Sequence, residues 1–229
     1  MRDLSKLEKI LNIKFNNLDL LQQALVHRSY LNENPKFRLD HNERLEFLGD
    51  AVLELVVTEH LYQNYQNPEG ELTNWRAALV KAEMLSEIAT NLGLNDYLLL
   101  SRGEAKDTGR ARQYILANTF EAIIGAIYLD GGIKKAKEFI EKYLISQLSK
   151  ILEKGEYRDA KSIFQEKAQE KVGITPTYEV LEEWGPDHAK HFKIAVFLNS
   201  EKVAEGIGES KQEAQLEAAK KALKVKGWG

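Results

Sequence analysis

Apolar residues recur every three or four positions through the first 155 residues and at alternate positions only beyond Gly155. That single change of hydrophobic period restricts the chain to a helical unit joined to a mixed one. Helical spacing is carried by Leu4-Leu7-Ile10-Leu11, by Leu45-Leu48-Val52-Leu55-Val56 and by Ala77-Val80-Met84-Leu85-Ile88. Another helix is predicted from about Tyr114 to Leu129, ended by Gly131-Gly132, and a further one over about 133–153 with its lysines on the wet side. Residues 1–154 therefore read as an all-α unit, and 155–158 as a short linker. Residues 159–229 read as a small α+β unit of order α-β-β-β-α. Its helix runs from about Asp159 to Lys171, and its strands cover Tyr178–Trp184, Phe192–Leu198 and Val203–Gly208. Ser210-Lys211-Gln212-Glu213 has the capping-box form and opens an alanine-rich last helix that can lie close against a sheet.

Composition removes several classes of function. The chain contains no cysteine, so disulfides, thiolate-held metals and thiol catalysis are excluded. The longest apolar run, Ala122 to Leu129, is interrupted by a glycine and falls far short of the ~20 residues that span a bilayer. The N-terminus lacks a signal-peptide pattern, so a soluble, cytoplasmic protein without membrane association is expected. Lys and Arg number 32 against 35 Asp and Glu, a net charge of −3. Neither unit is basic, so contact with nucleic acid would depend on where the cations lie rather than on their sum.

The densest chemical signal is Glu43-Arg44-Leu45-Glu46-Phe47-Leu48-Gly49-Asp50, continuing to Glu54. At about 100° per residue with Glu43 at zero, Glu46, Asp50 and Glu54 fall within about 60° of it, and Leu45, Leu48, Val52 and Leu55 lie roughly opposite. A solvated acidic face is one reading. Against it, Arg44 is the only cation near in sequence, and Phe47 sits on the acidic side, where an aromatic ring gains nothing from water. The second signal is Glu121, set in the small and apolar segment Ala117 to Tyr128, with Asn118 one turn earlier on the same face. A carboxylate buried there requires a partner, a proton or a cation. A core Arg or His such as Arg28 or His27 would satisfy it; alternatively it completes an oxygen-only cluster with the acidic stripe, which favours Mg²⁺ or Mn²⁺.

These residues resemble the signature of the ribonuclease III family. The resemblance extends through Ala24-Leu25-Val26-His27-Arg28-Ser29-Tyr30, Glu69-Gly70, Arg76-Ala77-Ala78-Leu79-Val80 and the Glu121 helix. The second unit, with its Gly185-Pro186-Asp187-His188 loop, is similar to the double-stranded-RNA-binding domain that follows the nuclease domain in bacterial members. The resemblance implies a homodimeric endonuclease that cuts both strands of double-stranded RNA with Mg²⁺, for which Mn²⁺ can substitute. It implies 5′-phosphate and 3′-hydroxyl ends, short 3′ overhangs, and a role in maturing ribosomal and messenger RNA precursors. Carried over position by position, Glu46, Asp50, Asn118 and Glu121 would be metal ligands, Glu43 and Glu69 would also line the catalytic valley, and Phe47 would plug into the partner subunit. One departure stands out: the family pattern has Asp where this chain has Asn118, which costs the cluster one negative charge.

RNA binding would fall to Ser162, Gln165, Glu166 and Gln169 on one face of the second unit's first helix, to Pro186 and His188 on its loop, and to Lys211 at the start of its last helix. Such surfaces read shape, 2′-hydroxyls and phosphates over ~16 base pairs rather than base edges. Taken without the resemblance, the same polar residues read as a wet surface. Two other classes compete. A protein that binds but does not cut would keep both units, and a di-iron carboxylate bundle would require Glu-x-x-His pairs, which the chain lacks.

Overall fold

A computed structural model describes residues 3–154, 160–186 and 190–228. The chain divides into two compact units, residues 1–157 and 158–229. The first contains helices α1 (Leu4–Leu11), α2 (Leu18–Ala24), α3 (Arg28–Glu33), α4 (Glu43–Asn64), α5 (Glu69–Val80), α6 (Ala82–Asn91), α7 (Arg110–Tyr143) and α8 (Leu148–Lys154). The second is α9 (Ala160–Val172), β1 (Thr177–Trp184), β2 (His191–Leu198), β3 (Glu201–Gly208) and α10 (Lys211–Lys226). The expected linker at 155–158 lies outside the described residues.

Helices α4 and α7 form the centre of the first unit. Ile123, Ile124, Ala126, Leu53, Val56 and Val57 are almost completely buried there. The two backbones touch: a Cβ added at Gly49 would stand 1.8 Å from the Glu121 carbonyl oxygen, and one at Gly125 would stand 2.2 Å from that of Leu45. Only glycine permits this approach, because the obstacles are backbone atoms with no flexible end to move aside. The contact also explains why the buried stripe of α4 runs through Leu45, Gly49, Val52, Leu53 and Val56 rather than through Leu55. Leu55, expected in the core, is exposed.

Local chemistry moves several expected boundaries. The periodic run Ala77 to Ile88 is broken at Lys81, whose extended backbone separates α5 from α6. Gly131-Gly132 ends the first helical stretch of α7 as expected: Gly132 leaves helical geometry with φ +75°, and a second stretch begins at once beyond this kink. The helix expected over 133–153 is interrupted by a 3₁₀ turn at Ile145–Gln147 before α8 begins.

In the second unit β1, β2 and β3 pair antiparallel in sequence order, with a bulge at Leu181. Ile194, Val196 and Leu198 alternate along β2 and are buried, as are Ala214, Ala218, Ala219 and Ala222 of α10 and Phe164 of α9. The Ser210 cap forms as its sequence predicts, the Glu213 amide donating to Ser210 Oγ at 3.1 Å, but the Glu213 carboxylate reaches one residue further back and accepts from the Glu209 amide at 3.0 Å.

If the glycine contact positions α4 on α7, Gly125→Ala should destabilise the fold by about 1–3 kcal/mol or more, the usual range for overpacking a dense core. Urea denaturation reads this directly, and an unchanged midpoint would mean that the helices are not in contact there.

Candidate active site

Glu46 lies one turn before Gly49 on α4, and Glu121 one turn before Gly125 on α7, so the glycine contact brings the two acids together. Asp50 acts electrostatically on both of them. Burial, then repulsion from Asp50 and Glu46, pushes the Glu121 carboxyl up to about 8. Burial is also the largest influence on Glu46, which is raised further by Glu43 and Asp50 and lowered in part by the Asn118 amide beside it. The structure therefore gathers Glu43, Glu46, Asp50, Asn118 and Glu121 into one acidic locus.

The outer part of the stripe has partners that lie far away in sequence. Arg28 is 3.3 Å from Glu43, with His41 3.7 Å from its other oxygen, and Arg76 is 3.1 Å from Glu54. Arg28 and His27 do not satisfy Glu121: the first pairs with Glu43 and the second hydrogen-bonds Ser29. Among the described residues no cation reaches Glu46, Asp50 or Glu121. Nor do three acids or imidazoles among them already converge at ligating distance.

Glu69 stands elsewhere. It begins α5, accepts from Thr73 Oγ1 at 3.0 Å and lines a groove of about 700 Å³ with Thr58, Tyr62 and Arg76. Phe47 is 81% exposed and borders a groove of about 620 Å³ with Leu20, Leu48 and Leu129.

The acidic locus opens into a cleft of about 360 Å³ lined by His27, Asn42, Glu43, Glu46, Glu104 and Asn118 among others. Its far wall is tied to the segment before α3. The His27 amide donates to the Leu99 carbonyl at 3.0 Å, and the Ser101 amide donates to Ser29 Oγ at 3.1 Å. Glu104 was absent from the sequence-based candidates; no motif marks it, because these hydrogen bonds across the chain bring it to the site. Burial lowers the His27 imidazole more than Glu104 and Glu43 raise it.

In the second unit, Gln165, Glu166 and Gln169 are exposed on α9 with Ser162 half-buried beside them, and Pro186 is exposed. His188 lies outside the described residues. Lys211 is exposed at the start of α10, with its ammonium 5.5 Å from the centre of the Phe192 ring. The cations at the other end of α10 are in part neutralised, Lys221 by Glu217 at 3.4 Å and Lys226 by Glu201 at 2.8 Å.

The raised Glu121 carboxyl has a consequence for stability. In a chelating buffer the folded chain holds a proton there that the unfolded chain has released, so this contribution is full below the ordinary carboxylate range and is lost as pH rises through about 8. Glu121→Gln has no such dependence. Its melting temperature relative to the parent should therefore climb between about pH 5 and about pH 8.5. A constant difference in calorimetry would mean that Glu121 ionises normally.

Comparison with known proteins places both units in described families. The family model described as ribonuclease-III-like matches residues 17–148, and the one described as double-stranded RNA binding motif matches residues 160–226. Ribonuclease 3 of Borreliella burgdorferi is 44% identical over 97% of this chain and 91% of its own length. That of Carboxydothermus hydrogenoformans is 44% identical over 97% of this chain and 95% of its own. The crystallised nuclease domain of ribonuclease III from Campylobacter jejuni, described for flexibility in a region involved in dimer formation, is 42% identical. It covers 62% of this chain and 98% of its own, with a TM-score of 0.55. The chain belongs to the ribonuclease III family, as an endoribonuclease whose helical nuclease unit is followed by a double-stranded-RNA-binding domain.

Proposed function

We propose that this chain hydrolyses both strands of double-stranded RNA in a divalent-metal-dependent reaction, with Glu46, Asp50, Asn118 and Glu121 as the ligands. Mg²⁺ is the proposed ion, with Mn²⁺ as substitute, because every donor is a hard oxygen and neither thiolate nor imidazole belongs to the set. The observation that carries the reading is Glu121: a carboxyl pushed up to about 8 beside two further acids, with no cation among the described residues to compensate it. Binding a dication relieves that repulsion and the burial penalty together. When bound, such an ion activates water and stabilises a leaving oxygen. Glu43, braced by Arg28, lines the entrance, and Asn118 offers a neutral oxygen in place of the charged ligand of the family pattern.

The proposed products carry 5′-phosphates, 3′-hydroxyls and short 3′ overhangs, and the proposed role is maturation of ribosomal and messenger RNA precursors in the cytoplasm. Among the described residues no helix is long and apolar enough to cross a membrane. Staggered cuts require two sites. The exposed Phe47 beside its apolar groove supports a homodimer in which each ring fills the other subunit's groove about a two-fold axis. Glu69, which within one subunit faces another groove, is the further acid proposed to line the catalytic valley of that assembly. We assign residues 1–154 to the nuclease domain, 155–158 to the linker and 159–229 to the RNA-binding domain. There Ser162, Gln165, Glu166, Gln169, Pro186, His188 and Lys211 are the proposed contacts to the duplex.

A gel assay on a long RNA duplex should show cleavage that stops in chelator and returns with Mg²⁺ or Mn²⁺. Glu121→Gln should abolish cutting while leaving RNA binding intact. Asn118→Asp should lower the Mg²⁺ concentration for half-maximal rate roughly tenfold, ~1.4 kcal/mol, a part of the ~4 kcal/mol that unit charges 4 Å apart exchange near a protein surface. Robust cutting in chelator would overturn the metal assignment, and an unmoved Mg²⁺ curve would remove Asn118 from the ligand set. Duplex binding without any cutting would favour the binding-only reading.

A further inference from the structure

His27 has no role in the scheme above, yet its ring lines the same cleft as Glu46 and Asn118. Its hydrogen bonds determine which nitrogen carries the proton. Nδ1 accepts from the Ser29 amide at 3.3 Å and lies 2.8 Å from Ser29 Oγ. That hydroxyl oxygen already accepts from the Ser101 amide at 3.1 Å, leaving its own proton to point at the ring. Two donors thus converge on Nδ1, which must hold the lone pair, and the neutral imidazole carries its hydrogen on Nε2. Among the described residues that N–H has no hydrogen-bond partner, and it is not sealed from solvent. The cleft, which also holds Tyr114 and Asn118, therefore presents the His27 Nε2–H as a neutral donor without a partner among the described residues, beside the carboxylates of Glu43, Glu46 and Glu104.

A ligand for such a place must accept one hydrogen bond without bringing negative charge. A phosphate oxygen would bring its charge against the Glu46 and Glu104 carboxylates, and the deep major groove of an A-form duplex keeps its base edges from side chains, whereas the shallow minor groove displays the 2′-hydroxyls. A ribose 2′-hydroxyl fits on both counts, since it is neutral and both donates and accepts. Glu43 is already engaged by Arg28, whereas the Glu104 side chain has no hydrogen-bond or ion-pair partner among the described residues. We propose that this cleft receives a 2′-hydroxyl of the strand being cut. His27 Nε2–H donates to its oxygen and the Glu104 carboxylate accepts its proton, so that the nuclease domain itself distinguishes RNA from DNA. The inference rests on the reading that duplex RNA is cut at the neighbouring acidic locus.

Two substitutions separate this role from simple support of the fold. His27 is also the N-cap of α3. His27→Asn retains an acceptor close to the backbone, a favoured cap, but removes the donor that reaches the cleft. His27→Gln places an amide near the former Nε2 and gives up the cap. Each variant and the parent are assayed for kcat/KM and melting temperature on an all-RNA duplex. The same assay is run on duplexes with one 2′-deoxynucleotide at successive positions around the cut. In the parent, one position should lose about ten- to a hundredfold on deoxy substitution, the combined worth of two hydrogen bonds, one of them to a charged carboxylate. His27→Asn should lose about five- to tenfold on all-RNA substrate at unchanged melting temperature and show a deoxy penalty at that position reduced by the same factor, since the Glu104 bond remains. His27→Gln should keep the deoxy penalty although it melts lower. A deoxy penalty that persists in full in His27→Asn, or one found at no position, overturns the inference while leaving RNA cleavage in place. A parent that does not cut the all-RNA duplex overturns both readings.

Discussion

The backbone contact between Gly49 and Gly125 is the constraint from which the rest of the nuclease unit follows. A side chain at either position would run into a carbonyl of the facing helix, so the pair sets how closely α4 and α7 approach. Glu46 and Glu121 each lie one turn from one of these glycines, and Asp50 directly follows Gly49. Close approach therefore produces charge repulsion and dehydration together, which is why Glu121 holds its proton so far above the ordinary carboxylate range. The apolar packing of Leu53, Ile123 and Ile124 around the contact opposes that repulsion. The site is thus held in an electrostatically unfavourable state by hydrophobic burial on the same two helices.

Neutralisation is graded along the acidic stripe. Its two ends, Glu43 and Glu54, receive Arg28 and Arg76 from other elements, while its centre receives no cation among the described residues. Partial exposure makes those outer pairs individually weak, so their effect is chiefly on where negative potential concentrates. The wall facing the acids is built by cross-chain hydrogen bonds that link 27–29 to 99–101, an arrangement that carries Glu104 and His27 to the mouth of the same cleft. In the second unit, the exposed polar face of α9 and the capped start of α10 give a separate surface suited to phosphates and 2′-hydroxyls.

Much of this was legible in the residues because the signals were periodic or local. The change of hydrophobic period separated the two units, the capping box located the start of α10, and an acid inside an apolar helix marked Glu121. Misreadings arose where tertiary contact overrides the pattern. Helical phase placed Leu55 opposite the acids, but the glycine contact rotates the buried sector away from it. A continuous apolar run hid the break at Lys81. Arg28 looked like a partner for Glu121 and in fact braces Glu43. Glu104 could not be found at all, since only long-range hydrogen bonding gives it a role.

The central claim is that the α4–α7 contact creates one divalent-cation locus from the acids beside it. Titration of Mn²⁺ followed by the electron paramagnetic resonance of the free ion measures that locus without any turnover. The account predicts specific Mn²⁺ binding by the parent protein, weakened at least roughly tenfold in Asp50→Asn and left unchanged in Glu69→Gln, whose groove is elsewhere. Equal binding by the parent and Asp50→Asn would contradict it.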